Sequence, residues 1–107
     1  MPTYKAPTHE YSFLLHEVLD LSRYSNLPGF AESTPDLVNQ IMDQAAKFSE
    51  EVLQPLNKVG DEQGCVLKDG EVTTPDGFRD AYQQLVEGGW PSLVCSPDYG
   101  GQGVPNT

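Results

Sequence analysis

Residues 88–105, GGWPSLVCSPDYGGQGVP, constrain the fold more than any other stretch of the chain. Five glycines and three prolines surround the lone tryptophan, Trp90, and Tyr99. Glycine permits positive φ and close backbone approach, whereas proline fixes φ and biases the preceding residue towards extended conformations. Flexible linkers lack apolar anchors as large as Trp90 and Leu93. We therefore predict an ordered loop that Trp90 anchors to a helical core.

Three segments ahead of this loop carry apolar residues at helical spacing. The first predicted helix covers about residues 10–23, after an extended arm, with Thr8 as its cap. The second begins at Ser33-Thr34-Pro35-Asp36, where a hydroxyl cap, a proline in the first turn and an acid near the positive helix end coincide. Its predicted buried face comprises Val38, Ile41, Ala45, Phe48 and Val52.

Pro55 interrupts the second pattern, because proline donates no hydrogen bond and its ring crowds the preceding turn. The apolar stripe resumes beyond it, so we predict a kink at Gln54-Pro55 and further helix to about Asp61, stopped by Gly64. In residues 65–73 the apolar residues no longer recur at helical spacing, and Asp69-Gly70 is a strong tight-turn signal. This pattern predicts a small hairpin-like excursion.

The third predicted helix starts from Thr74-Pro75-Asp76 and is closed by Gly88 or Gly89. The predicted fold class is therefore all-α: three main helices, the second kinked at Pro55, with a hairpin-like excursion and a Gly/Pro-rich C-terminal loop. At 107 residues the chain fits one domain or a piece of one, and it can bury only a modest core.

Charge and composition exclude several classes of partner. The formal net charge of −10 argues against nucleic acid and anionic membranes, which need basic patches. No run approaches the roughly 18 apolar residues that span a bilayer, and the opening residues lack the order of a secretory signal, so we expect a cytoplasmic location. Cys65 and Cys95 lack metal spacing, and we expect reduced thiols in buried, apolar roles. We expect His9 and His16 to be surface or partly buried residues, because neither has a ligand or base partner at suitable spacing.

The chain resembles a known family, the flavin-dependent acyl-CoA dehydrogenases. The motifs that carry the resemblance are FSEEVLQPLN at residues 48–57, Gly60-Asp61, Gly64, GGW at residues 88–90 and PDYGGQG at residues 97–103. In this order and spacing they cover about residues 35–104. The opening, Tyr4-Lys5-Ala6-Pro7 with Phe13 and Glu17-Val18-Leu19, looks like the additional segment of the longer subgroup that includes 3-methylmercaptopropionyl-CoA dehydrogenases.

The resemblance implies that residues 1–33 are a subgroup extension and residues 34–107 the start of an N-terminal helical domain. It also implies a longer enzyme with FAD as cofactor, an acyl-CoA substrate, electron-transfer flavoprotein as partner and a homo-oligomeric state. In that family a glutamate removes the α proton while flavin N5 takes the β hydride, and both groups are held by segments downstream. We therefore assign no catalytic residue to this chain and expect it to be inactive alone. We expect the natural sequence to continue past Thr107 into a helix.

The resemblance makes Tyr99, Gly100 and Gly101 candidates for substrate contact, because the glycine loop leads towards a helix that helps wall the acyl pocket. A purely structural turn is the alternative for these three residues. At the level of the whole chain, the alternative function is a stand-alone helical module that uses its acidic faces for protein binding.

Overall fold

The computed structural model describes residues 3–107, and the first two residues of the predicted arm lie outside them. The elements, in chain order, are α1 (Thr8–Ser12), a π-helical turn (Phe13–Val18), a 3₁₀ turn (Leu21–Tyr24), α2 (Pro35–Phe48), a second π-helical turn (Ser49–Leu53), α3 (Gln54–Gln63), β1 (Val66–Lys68), β2 (Glu71–Thr73), α4 (Phe78–Glu87), and 3₁₀ turns at Trp90–Ser92 and Pro97–Tyr99. The predicted all-α class, with a small hairpin, is confirmed.

The first helix differs from the prediction. It begins at Thr8 with Pro7 as the cap residue, and no side chain caps it, so the expected cap at Thr8 is wrong. After the π-helical turn the helix ends, because Asp20 adopts a left-handed conformation with φ 49°. Aspartate tolerates this conformation better than most residues do. The break allows the following residue, Leu21, to be buried, so the predicted continuous helix over residues 10–23 is also wrong.

The second predicted helix is confirmed as α2, the π-helical turn and α3 in unbroken succession. Thr34 caps it, since its Oγ1 accepts a hydrogen bond from the amide of Leu37 at 3.3 Å. The kink at Gln54-Pro55 stays a prediction; the structure shows a π-helical turn, Ser49–Leu53, that ends two residues before Pro55. Proline lacks the amide and crowds the turn behind it, and a wider turn there lets the helix continue. All five residues of the predicted apolar face are half-buried.

The hairpin forms as the sequence predicts. Strands β1 and β2 pair antiparallel, with Val66 opposite Thr73 and Lys68 opposite Glu71. Asp69 and Gly70 join them with φ values of 52° and 81°. Two consecutive positive φ angles define the type I′ turn, whose twist suits a two-residue hairpin.

Helix α4 starts differently from the prediction. Its cap residue is Gly77, with φ 85°, and the helix does not begin at Thr74-Pro75-Asp76. Asp76 instead binds the end of α3: its amide donates to Gln63 Oε1 at 2.9 Å, and Gln63 Nε2 donates to Asp76 Oδ2 at 3.2 Å. The carboxylate therefore ties two helices together where we expected a helix-start signal. Gly89, with φ 76°, follows the other end of α4, as predicted.

The molecule is a thin slab. Its principal extents are 56 × 36 × 16 Å, and its radius of gyration is 17.4 Å, against about 13 Å for a compact domain of this length. The accessible surface is 8135 Å², whereas a globular protein of this mass exposes about 5,900 Å². Within residues 3–107 only Leu21, Pro75 and Ala81 are buried. Domains normally consist of two packed layers, so the apolar faces of this slab are left uncovered.

No helix within residues 3–107 is both long and apolar enough to cross a membrane.

Candidate functional site

The terminal loop, residues 88–105, closes on itself through its backbone. Amides on the returning side donate to carbonyls on the outgoing side: Gln102 to Ser92 at 3.1 Å, Val104 to Leu93 at 3.1 Å, Gly103 to Cys95 at 2.9 Å and Gly101 to Ser96 at 3.0 Å. These hydrogen bonds pair backbone amides and carbonyls that would bond to water in a disordered segment. The predicted ordered loop is therefore present.

The three predicted substrate-contact residues lie together at the tip of this loop. Tyr99 is 90% exposed, so its ring is available to a ligand or to another part of a larger protein. Gly100 has φ 82° and open space around it, whereas a Cβ at Gly101 would overlap the carbonyl group of Cys95. The two glycines therefore have separate structural reasons to be glycine. Substrate contact by all three residues stays a prediction.

Trp90 lies at the start of the loop, in the 3₁₀ turn that follows α4. Its side chain is half-buried, and a Cβ at Gly88 would lie 2.8 Å from its indole Nε1. Together with Phe48 and Val52 it lines a shallow cavity of about 420 Å³ between α2, the second π-helical turn and α4. The role of Trp90 as the anchor of the loop stays a prediction.

An open apolar groove of about 870 Å³ runs between α3 and α4. We call it the α3–α4 groove; its lining includes Tyr4, Leu53, Leu56, Cys65, Phe78, Ala81, Tyr82 and Leu85. The two helices approach closely at one end, where a Cβ at Gly60 would lie 2.7 Å from Cζ of Phe78. The volume lies in the range of ligand sites, but the groove is open to solvent along its length. The sequence signals did not predict this groove.

The carboxylate of Glu50 is bonded to the N-terminal arm. Its Oε1 accepts a hydrogen bond from the Ala6 amide at 2.8 Å, and its Oε2 lies 3.4 Å from Lys5 Nζ. The Ala6 amide, with a smaller contribution from Lys5, lowers the pKa of the Glu50 carboxyl despite partial desolvation. This carboxylate is therefore held ionised by the arm. A general base needs a pKa near the working pH, so Glu50 is poorly suited to that role.

The other candidate groups do not assemble into a reactive centre. Among residues 3–107, no group of three or more His, Cys, Asp and Glu side chains could hold a metal ion. His16 is half-buried, with Nε2 3.0 Å from Asn39 Oδ1, and so links the first π-helical turn to α2. Cys65 and Cys95 are free thiols, but both are exposed, so the expected burial is wrong. The slab is too thin to enclose them.

Comparison with known proteins adds to this geometry. No protein-family model matches the chain. Over 103 residues it is 31% identical to 3-methylmercaptopropionyl-CoA dehydrogenase from Ruegeria pomeroyi. The chain resembles an acyl-CoA dehydrogenase.

The similarity to this dehydrogenase takes in 96% of the chain, so it extends over most of residues 1–33 and most of the terminal loop. The resemblance predicted from the motifs is therefore confirmed. The chain spans 18% of the length of the dehydrogenase that it matches.

Proposed function

We propose that this chain is the N-terminal helical part of an FAD-dependent enzyme that dehydrogenates an acyl-CoA thioester between Cα and Cβ. The observation that carries the proposal is the similarity to a dehydrogenase over 96% of the chain. In such an enzyme the substrate loses a proton from Cα and a hydride from Cβ, which leaves a Cα=Cβ double bond. FAD, when bound, supplies the acceptor for the hydride.

We propose that the residues that hold this cofactor lie outside this chain. Dinucleotides bind where a glycine-rich turn opens a helix, so that the pyrophosphate meets the helix N-terminus. Within residues 3–107, none of the helices α1 to α4 begins at a glycine-rich turn. We therefore assign no chemical step to residues 3–107. Their proposed role is to support the enzyme, with the uncovered apolar faces packed against its other domains.

We propose that the terminal loop contributes to the wall of the acyl pocket. Backbone hydrogen bonds hold the loop closed, while its tip exposes Tyr99. A rigid loop with an exposed aromatic ring is suited to contact an apolar acyl chain. Acyl-CoA and electron-transfer flavoprotein as partners, a homo-oligomeric state and a cytoplasmic location complete the proposal.

The test is to express the full reading frame that contains these residues and to follow flavin bleaching anaerobically against a panel of acyl-CoA thioesters, including 3-methylmercaptopropionyl-CoA. We expect a yellow protein whose flavin is reduced by at least one thioester. A matched control is free CoA, which carries the same nucleotide but no acyl group. Bound flavin that no thioester reduces would overturn the dehydrogenase proposal.

The same experiment separates this proposal from a stand-alone interaction module. That alternative requires a natural stop codon directly after Thr107 and a protein that binds no flavin. A reading frame that continues into flavin-binding sequence would exclude the module, whereas a stop codon at that point would exclude the enzyme.

A further inference from the structure

The Glu50 carboxylate contacts the arm at residues 3–7 through both of its oxygens. Glu50 Oε1 accepts a hydrogen bond from the Ala6 amide at 2.8 Å, and Glu50 Oε2 accepts one from Lys5 Nζ at 3.4 Å. The two contacts come from consecutive residues, so one side chain fixes both the position and the direction of the arm there. A backbone amide bonded to a carboxylate is a charge-assisted hydrogen bond, which is stronger than a neutral one.

The position of Glu50 in the helix makes it a suitable attachment point. It lies in the second π-helical turn, Ser49–Leu53, which precedes Pro55. Only 27% of the Glu50 side chain is exposed, so the carboxylate is partly shielded from water that would compete for the amide. Lys5 is 80% exposed, and ion pairs this open contribute little. The amide bond is therefore the main connection.

The arm also reaches the α3–α4 groove. Tyr4, which directly precedes the two residues held by Glu50, lines the groove together with Leu53, Phe78 and Tyr82. The arm lies outside the helices and strands, and its backbone bonds are local: the carbonyls of Ala6 and Pro7 accept from the amides of Thr8 and Tyr11. Segments with so few backbone bonds open at low free-energy cost while the rest of the protein stays folded.

We propose that residues 3–7 form a strap that Glu50 latches to the second π-helical turn, so that Tyr4 covers one edge of the α3–α4 groove. Release of the latch exposes that edge. The strap is a conformational device built from this chain's own residues, and it does not depend on the proposed dehydrogenase activity.

Amide hydrogen exchange and trypsin cleavage in the full-length protein test the latch directly. The bond that trypsin cuts after Lys5 contains the Ala6 amide, the group that Glu50 holds. In Glu50→Ala we expect exchange at Ala6 and cleavage after Lys5 to accelerate by about threefold or more, because both follow the population of the open arm. Glu51→Ala is the matched control, since this neighbouring glutamate is exposed and lies in the same π-helical turn.

Two further variants separate a latch from a general loss of structure. Glu50→Gln keeps an oxygen for the Ala6 amide but loses the charge, so we expect an exchange rate between those of the parent protein and Glu50→Ala. Lys5→Gln leaves the helix untouched and should accelerate exchange at Ala6 less than Glu50→Ala does. If Glu50→Ala does not fold, Lys5→Gln still tests the latch.

Alkylation of the two free thiols tests the groove. Cys65 lines the α3–α4 groove with Tyr4, whereas Cys95 lies in the terminal loop and serves as the internal reference. In Glu50→Ala we expect Cys65 to react faster relative to Cys95. Equal exchange at Ala6 in Glu50→Ala and Glu51→Ala would overturn the latch, and an unchanged Cys65 rate with a released arm would overturn the covering role of the strap.

Discussion

Alanine substitutions at Gly100 and Gly101 should destabilise the terminal loop for different reasons and by different amounts. Gly100 has φ 82°, and no atom lies within 4 Å of the position that a Cβ would take, so Gly100→Ala meets conformational strain alone. Gly101 is not among the positive-φ glycines, but a Cβ there would overlap the backbone carbonyl of Cys95. A carbonyl inside a closed loop cannot move aside as a flexible side chain can.

The magnitudes follow from these two situations. Placing a non-glycine residue in the left-handed region costs about 1–2 kcal/mol, which is the expected loss for Gly100→Ala. Gly101→Ala instead overpacks the loop. It also breaks the hydrogen bonds from the Gly101 amide to the Ser96 carbonyl and from the Gly103 amide to the Cys95 carbonyl. Overpacking and two lost hydrogen bonds together cost about 2–6 kcal/mol. If the loop opens locally before the protein unfolds, the loss in global stability stops at the free energy of that opening.

Urea unfolding and amide exchange of the full-length variants measure both effects. Gly70→Ala is the matched control for strain, because Gly70 has φ 81° in open space at the hairpin turn, outside the terminal loop. We expect Gly70→Ala and Gly100→Ala to lose similar stability, and Gly101→Ala alone to expose the amides of residues 101–104 to rapid exchange. Equal losses at Gly100 and Gly101, with the loop amides still protected, would refute the steric argument.

Four further outcomes are expected. Trp90→Ala should lower the free energy of unfolding by about 2 kcal/mol, less than for a fully buried indole, in a urea titration with emission as the check on burial. Tyr99→Ala should leave stability unchanged but raise KM for an acyl-CoA if the loop walls the acyl pocket; unchanged kinetics would leave a purely structural turn. Because the pKa of Glu50 is lowered from 4.5, protection of the Ala6 amide should be complete above that pH and be lost as pH falls through the lower folded value, a transition that Glu50→Gln should lack. The isolated 107-residue chain should be colourless and bind a hydrophobic dye, and light scattering from a compact monomer without dye binding would contradict this.

Capping and turn chemistry explain most of what the sequence predicted correctly. Thr34 with Pro35 marks the start of α2, and Asp69-Gly70 forms the tight turn of the hairpin, because both signals act between residues that are close in sequence. The similar signal at Thr74-Pro75-Asp76 failed: the Asp76 carboxylate accepts a hydrogen bond from Gln63 Nε2, thirteen residues earlier, and its amide donates to Gln63 Oε1. A local pattern cannot show which of two available partners a carboxylate will take.

The candidate site was predicted only in part, for the same reason. The loop that holds Tyr99 was visible as a cluster of glycines and prolines. No sequence signal singled out Glu50, because its bond to the Ala6 amide spans 44 residues and leaves no local pattern. The α3–α4 groove likewise depends on how two helices pack, and helical spacing alone does not give that.

The thinness of the slab has a calorimetric consequence. An unfolded chain of 11.7 kDa exposes about 17,000 Å², so folding to 8135 Å² removes only about half of that surface from water, against about two thirds for a globular protein of this mass. The heat-capacity change of unfolding scales with the apolar area that becomes exposed. For residues 1–107 alone it should therefore be about four fifths of the value usual for this length, and the stability curve should be correspondingly flat.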